Sequence, residues 1–297
     1  MHAGESRDGN IVSLEHVNVR IPDQLLATLF YVTGLGLTRD PYLMTGLNNM
    51  WINIGRSQFH LPTGEPQILR GHVGLVIPDR QALLKRLAGI QASLKDTRFA
   101  FREQADHVEV TQPWGNRVCC FEPGPRFGAM RLGLLYVEFD VPLGSAAAIA
   151  RFYQEILAAP ASAADGTARV TVGPHQSLIF RETDRPLPDY DGHHIHVYVR
   201  DFAGIRERLD RFALLSEDNG PHHYRFLDII DLERRLRLFT VEHEIRSLTH
   251  PLHARPLVSR NPAQTRCRQK PPPRSSAGCA AGRRAGRPCR CGRSPAR

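Results

Sequence analysis

The sequence predicts an α+β fold of four βαβββ units arranged as two domains, with a disordered basic tail behind them. Three observations lead there. Four segments open with the alternation of a half-buried strand: "LEHVNVRIPD" (14–23), "GHVGLVIPD" (71–79), "LLYVEFDVP" (134–142) and "HHIHVYVRD" (193–201). Their spacing is doubly nested. His16 to His72 is 56 positions and Tyr136 to His194 is 58, while His16 to Tyr136 is 120 and His72 to His194 is 122. Finally, the composition changes abruptly near residue 262.

Each opening strand is followed by a helical pattern: "QLLATLFYVTGLGL", "RQALLKRLAGI", "GSAAAIARFYQEILAAP" and "FAGIRERLDRFALL". Asp23, Asp79 and Asp201 stand where N-caps belong, and Ser145 takes that place in the third unit. Short β-prone runs close every unit. They are "MWINIG" and "SQFHLP", then "HVEVTQ" and "RVCCFEP", then "ARVTVG" and "SLIFRE", and last "YRFLDII" and "RLRLFTVEH". The organisation read from this is a flexible N-terminus (1–10), a first domain (11–125), a second domain (131–248), an arm wrapping the body (249–262) and the tail (263–297).

The net charge of +9 belongs to the tail. Residues 263–297 hold ten Lys or Arg and no Asp or Glu; 39 − 10 leaves 29 basic against 30 acidic residues in positions 1–262, a net of −1. Built from Arg, Pro, Ala, Gly, Ser and Cys, the tail lacks an apolar period and cannot offset the entropy of ordering. It reads either as a basic arm for nucleic acid or as a segment without a selected role. Four of the six cysteines lie in it (Cys267, Cys279, Cys289, Cys291), without the spacing of a zinc finger. The body carries no basic patch, so no nucleic-acid partner is expected for it. The polar start "MHAGESRDGN" and the absence of an apolar run long enough to span a bilayer lead to the expectation of a cytoplasmic protein without a membrane partner.

The stretches "LEHVNV…LFYVTGLGL", "IARFYQEIL" and "TQPWGNRVCCFEPG" (111–124) resemble the opening strand and helix and the closing turn of the vicinal oxygen chelate superfamily. That superfamily includes glyoxalase, bleomycin-resistance and extradiol-dioxygenase proteins. The resemblance covers about residues 11 to 248, and four units in one chain look most like the two-domain type I extradiol dioxygenases. It implies two glyoxalase-like incomplete-barrel domains, each a pair of units curled into a cup with helices outside and a small-molecule ligand inside.

Strand alternation then sorts the residues. Val17, Val19 and Ile21 should pack on the helix, while His16, Asn18 and Arg20 face the cup. The same parity puts His72, Tyr136, Glu138, His194, His196 and Tyr198 on cup faces and His193 on the other side. Asn18, Arg20, Asn53, Tyr136, Glu138, His196 and Tyr198 are therefore the candidate substrate-binding residues.

Metal-dependent members commonly use two His and one Glu, from the first strands of paired units and a closing strand. Carried over, the resemblance implies a first-cup set of His16 and His72 with Cys119 at the carboxylate position, and Asn53 at a fourth position. In the second cup His194 matches the second histidine, Tyr136 stands where the first would be, and the carboxylate position falls on Leu238 or Phe239, with Glu242 or Glu138 as the substitute in a different register. A divalent metal held there would be Fe(II), Mn(II), Zn(II) or Ni(II). His60 and His175 are expected at hairpin surfaces, Trp114 at a turn, and Arg246 or His250 is expected to reach the second cup. Three functions follow: a metal-dependent dioxygenase acting on a catechol-like or other vicinal-oxygen substrate, a glyoxalase-like lyase or isomerase, or a metal-free binding protein of the bleomycin-resistance kind. Homo-oligomerisation is left open.

Overall fold

The computed structural model describes residues 9–43, 46 and 48–260. The expectations for residues 1–8, the last two residues of the arm and the tail lie outside the described residues.

All four units fold as βαβββ. The first comprises β1 (Ile11–Asn18), α1 (Gln24–Ala27), β2 (Thr38–Arg39), β3 (Asn49–Ile54) and β4 (Ser57–Pro62). The second comprises β5 (Gly71–Val76), α2 (Arg80–Ile90), β6 (Ala100–Glu103), β7 (His107–Thr111) and β8 (Arg117–Phe121). In the third are β9 (Gly133–Pro142), α3 (Ala146–Leu157), β10 (Ala161–Ala164), β11 (Thr167–Gly173) and β12 (Gln176–Thr183). The fourth holds β13 (His194–Val199), α4 (Phe202–Arg211), β14 (Leu215–Asp218), β15 (His223–Ile230) and β16 (Arg237–Ser247).

The helix starts follow the sequence signals, with one substitution. Asp23, Asp79 and Asp201 accept from the amides of Leu25 and Leu26, Ala82 and Gly204, respectively. Ser145 occupies the N-cap of α3, but its hydroxyl donates to Pro142 O instead. The orphan amide of Ala146 is satisfied by Glu182, reaching over from β12. Helix α1 runs on as a π-helical stretch over Thr28–Gly34, closed by the Leu35 amide on Phe30 O. Gly34 meets α2 so closely that an added Cβ would lie 2.5 Å from Ile90 Cδ1. Asn10, expected in a flexible terminus, is anchored: its side chain bonds Leu157 O and the Asp201 amide.

The strands form two eight-stranded sheets in the orders β14-β15-β16-β13-β1-β4-β3-β2 and β10-β11-β12-β9-β5-β8-β7-β6. This corrects the pairing expected from the sequence. The first sheet joins unit one to unit four through antiparallel β1 and β13, and the second joins unit two to unit three through antiparallel β5 and β9. A repeat period makes units equivalent without saying which two share a sheet. Each cup therefore draws one unit from residues 11–125 and one from 131–248.

One continuous cluster of buried apolar side chains runs through all four units. Val17, Val19, Ile21, Ile195, Val197 and Val199 enter it, as the alternation requires. Gln176 ties the sheets together, bonding Leu14 N and O, Ser57 Oγ and Leu134 O. Beyond β16 the arm, described to Arg260, runs back to unit one. Arg255 pairs with Asp40, Val258 O accepts from Asn53, and the Arg260 amide bonds Thr38 Oγ1.

Candidate metal centre

Strand register assembles the site on the cup face of the first sheet. His16 on β1 lies opposite His196 on β13; across the parallel β13–β16 pair, His194 faces Glu242 and His196 faces Glu244. On the other flank, parallel β4 places Gln58 beside His16 and His60 beside Asn18. The even-parity polar residues of four strands thus meet on one surface, while their odd neighbours hold the core.

His16, His194, His196 and Glu244 are all buried. His16 Nε2 lies 3.7 Å and His194 Nε2 lies 3.4 Å from the same oxygen, Glu244 Oε2. One ring nitrogen from each of His16, His60 and His194 lies within 4.8 Å of the other two. The Nε2 atoms of His16, His60, His194 and His196 are buried without a hydrogen-bond partner. Stranding that many polar atoms in one small volume is costly unless something bonds them. Imidazole and carboxylate donors suit a divalent transition metal, so the residues present fit such an ion.

The Nδ1 sides of these rings explain their orientation. His16 Nδ1 and His196 Nδ1 lie 2.5 and 2.9 Å from Glu15 Oε2, and His194 Nδ1 lies 3.3 Å from Glu242 Oε1. His60 differs. Asn18 Nδ2 donates to His60 Nδ1 at 2.7 Å, which leaves the ring proton on Nε2 and makes that atom a donor. Its ring stacks on Trp51 with centroids 3.8 Å apart.

Electrostatics puts the groups in ligand-ready forms. Burial drives the His194 and His196 pKa values down to about 4, against the pull of Glu244 and Glu15, so both rings are neutral at pH 7. Burial and the neighbouring His16 and His194 take His60 down to about 2. Glu244 is held well below the usual carboxylate range. Burial opposes this, but the nearby His194, His196, His16 and Arg246 outweigh it. Arg246 forms an ion pair with Glu244 Oε1 at 2.5 Å, and Arg225 spans Glu242 and Glu244. Neutral imidazoles around an ionised carboxylate are what metal binding requires.

The structure brings together His16, His194, His196, Glu242, Asn18 and Tyr198, the last with its ring centroid 4.6 Å from that of His196. It does not bring His72 or Cys119 to His16. Both lie in the second sheet, where Cys119 faces Gly74 and His72 faces Glu138. There His72 Nε2 is 3.1 Å from Tyr136 Oη, and Glu138 is held by Arg181. Burial pushes the Cys119 thiol up to about 11, so without a metal it stays protonated at pH 7. An added Cβ at Gly74 would lie 2.1 Å from the Tyr136 ring, so the tyrosine packs directly on the Gly74 backbone.

Two of the substrate-binding candidates serve other ends. Arg20 points to Asp191 O on the exterior, and Asn53 bonds Gln58 and the arm. His193, on the opposite parity, pairs with Asp191 away from the cup. His175 is exposed and Trp114 packs at a turn, as expected, whereas His60 lies in the cup. Sequence reasoning missed Glu244 and Glu15. Glu244 carried a usable signal, since it shares parity with Glu242 one pair further along β16. Glu15 carried none: it faces the cup side only because a register shift between Leu14 and His16 interrupts the alternation of β1.

No protein-family model and no curated protein matches the sequence. Solved structures do match, at low identity. A glyoxalase I mutant from Zea mays is 12% identical, with 79% of this chain and 93% of that chain covered and a TM-score of 0.56. Glyoxalase I from the same organism gives 12% identity, 79% and 92% coverage and a TM-score of 0.53. A candidate dioxygenase from Bacillus subtilis subsp. subtilis str. 168 gives 12% identity, 87% and 94% coverage and a TM-score of 0.53. With four βαβββ units in two open sheets and these neighbours, the chain has the vicinal oxygen chelate fold.

Proposed function

We propose that the protein is a metal-dependent enzyme of the vicinal oxygen chelate type, with His16, His194 and Glu244 holding the ion. The observation carrying this reading is the convergence of two buried, unpartnered Nε2 atoms on one oxygen of an ionised, buried glutamate. Two imidazoles and one carboxylate suit Fe(II), Mn(II), Ni(II) or Zn(II) and leave coordination positions open. What such an ion supplies is Lewis acidity toward two neighbouring oxygens of a small substrate, catechol-like in the dioxygenase form of the reading.

The surrounding residues have separable tasks. His60, with its proton on Nε2 and its ring fixed by Trp51, offers a hydrogen-bond donor to whatever occupies the cup. His196 Nε2 is a buried acceptor, placed to take a proton from a substrate hydroxyl. Arg246 helps to hold Glu244 ionised, Arg225 counters the burial that raises the Glu242 pKa, and Tyr198 closes the side next to the arm. The second cup holds no comparable ligand set among the described residues, so one reaction centre per chain is proposed.

The dioxygenase form is tested by oxygen uptake with a panel of catechols after anaerobic loading with Fe(II) or Mn(II). Isomerisation of a thiohemiacetal under Ni(II) or Zn(II) tests the lyase or isomerase form. Turnover in either assay, lost in His16→Ala, is the expected result. No turnover with any of the four metals would leave the metal-free binding reading in its place.

A further inference from the structure

Glu15 is a glutamate in the middle of a strand, and the alternation of β1 should turn it away from His16. The register shift between Leu14 and His16 makes it a bulge residue, which brings its carboxylate to the same side as the histidines. A single oxygen, Oε2, then lies 2.5 Å from His16 Nδ1 and 2.9 Å from His196 Nδ1, and the two nitrogens are 3.2 Å apart. The carboxylate oxygen lies nearer to each nitrogen than the nitrogens lie to one another, which favours a donor on both rings over one Nδ1–H donating to the other Nδ1. A neutral imidazole that donates from Nδ1 has its lone pair on Nε2. On both rings that Nε2 is buried, unpartnered and on the cup side.

We infer that Glu15 is a positioning residue that fixes His16 and His196 in the Nδ1–H tautomer and so creates two Nε2 acceptors in the cup. This rests on the metal reading for its purpose, but not for its geometry. The bulge gives one carboxylate command of both rings, so a single side chain determines whether β1 and β13 present acceptors or donors to whatever occupies the cup. Carboxylates behind metal-binding histidines commonly govern affinity in this way. Here the carboxylate sits directly next to the histidine in sequence, a placement that an unbroken strand forbids.

The test begins with the metal-free wild-type protein. Long-range ¹⁵N–¹H correlation spectra of its imidazoles should show His16 and His196 protonated at Nδ1; protonation at Nε2 on both rings would overturn the inference. In Glu15→Gln no charge remains to hold two Nδ1–H groups, 3.2 Å apart, on one oxygen, and the amide NH2 can donate to a ring Nδ1 instead. One of the two rings should therefore switch to the Nε2–H tautomer. Zn(II) affinity of Glu15→Gln, measured by chelator competition, should fall by about 10- to 100-fold while the melting temperature of the metal-free protein changes little. Tautomers and affinity both unchanged in this variant would overturn the inference. If the wild-type protein binds no metal, the proposed function falls, and the wild-type tautomers alone decide the role of Glu15.

Discussion

Replacing Arg255 with Ala probes the clasp between the arm and the first unit. Asp40 is 1% exposed, and its Oδ1 accepts from the amides of Tyr42 and Leu43. Its Oδ2 takes the Arg255 guanidinium at 2.9 Å and Gln58 Nε2 at 3.2 Å. Removing the guanidinium leaves a buried carboxylate with one long bond on that oxygen. Breaking a buried pair costs about 3–5 kcal/mol. The three remaining bonds to Asp40 place this case at the lower end, about 3 kcal/mol.

On a body of this size that corresponds to a melting temperature lowered by roughly 6–12 °C. Denaturant unfolding gives the energy, and hydrogen exchange at the Arg260 amide, bonded to Thr38 Oγ1, reports arm docking. Asp40→Asn in the same background should recover most of the loss, because no charge is then stranded. The pH dependence has a definite sign. Burial raises the Asp40 pKa, but the bonds from Arg255 and the two amides outweigh it and hold it below its ordinary value. The contribution of the pair is therefore complete above the unfolded value near 4 and fades as pH falls through the folded one. An Arg255→Ala penalty under about 0.5 kcal/mol at pH 7, with Arg260 protection unchanged, would refute the reasoning.

Three further outcomes are expected. His243 is fully buried, is 2.5 Å from Tyr153 Oη, and is pushed down to about 3 by burial. Between that value and the unfolded 6.5 the unfolded chain binds the extra proton, so this group alone should remove about 2 kcal/mol between pH 7 and 5. Unfolding curves at the two pH values should show that loss reduced in His243→Phe with Tyr153→Phe; an equal loss counts against the assignment. Gly74→Ala places a Cβ against the Tyr136 ring and should cost about 1–3 kcal/mol by thermal or denaturant unfolding, a cost absent when Tyr136 is already Ala. His72→Ala should leave metal affinity within about twofold by chelator competition, whereas His194→Ala should weaken it by at least about 100-fold, since only the latter removes a ligand. Equal losses in both would restore a site built on His72.

Much of this fold was legible because alternation and helix periodicity are local properties. Val17 and Val19 separate from His16 and Asn18 by parity alone, and the aspartate caps announce three helix starts. The pairing of units was not legible. His16 stands in the same relation to His72 as Tyr136 does to His194, and a period carries no information on which first strands become neighbours. That one choice moved His72 and Cys119 out of the site and brought His194, His196 and Glu244 into it. His60 reads as a surface residue from its place in or beside a hairpin, yet β4 pairs directly with β1. Glu15 required the bulge, and the cap of α3 required Glu182 from another strand; both are tertiary events.

The most direct measurement is the metal content of the protein purified without a histidine tag, alongside His16→Ala, His194→Ala and Glu244→Gln. The wild-type chain should carry roughly one divalent ion, or take up one of Fe(II), Mn(II), Ni(II) or Zn(II) with a rise in melting temperature, and each variant should lose it. A wild-type protein that holds no metal and gains no thermal stability from any of the four ions would contradict the account.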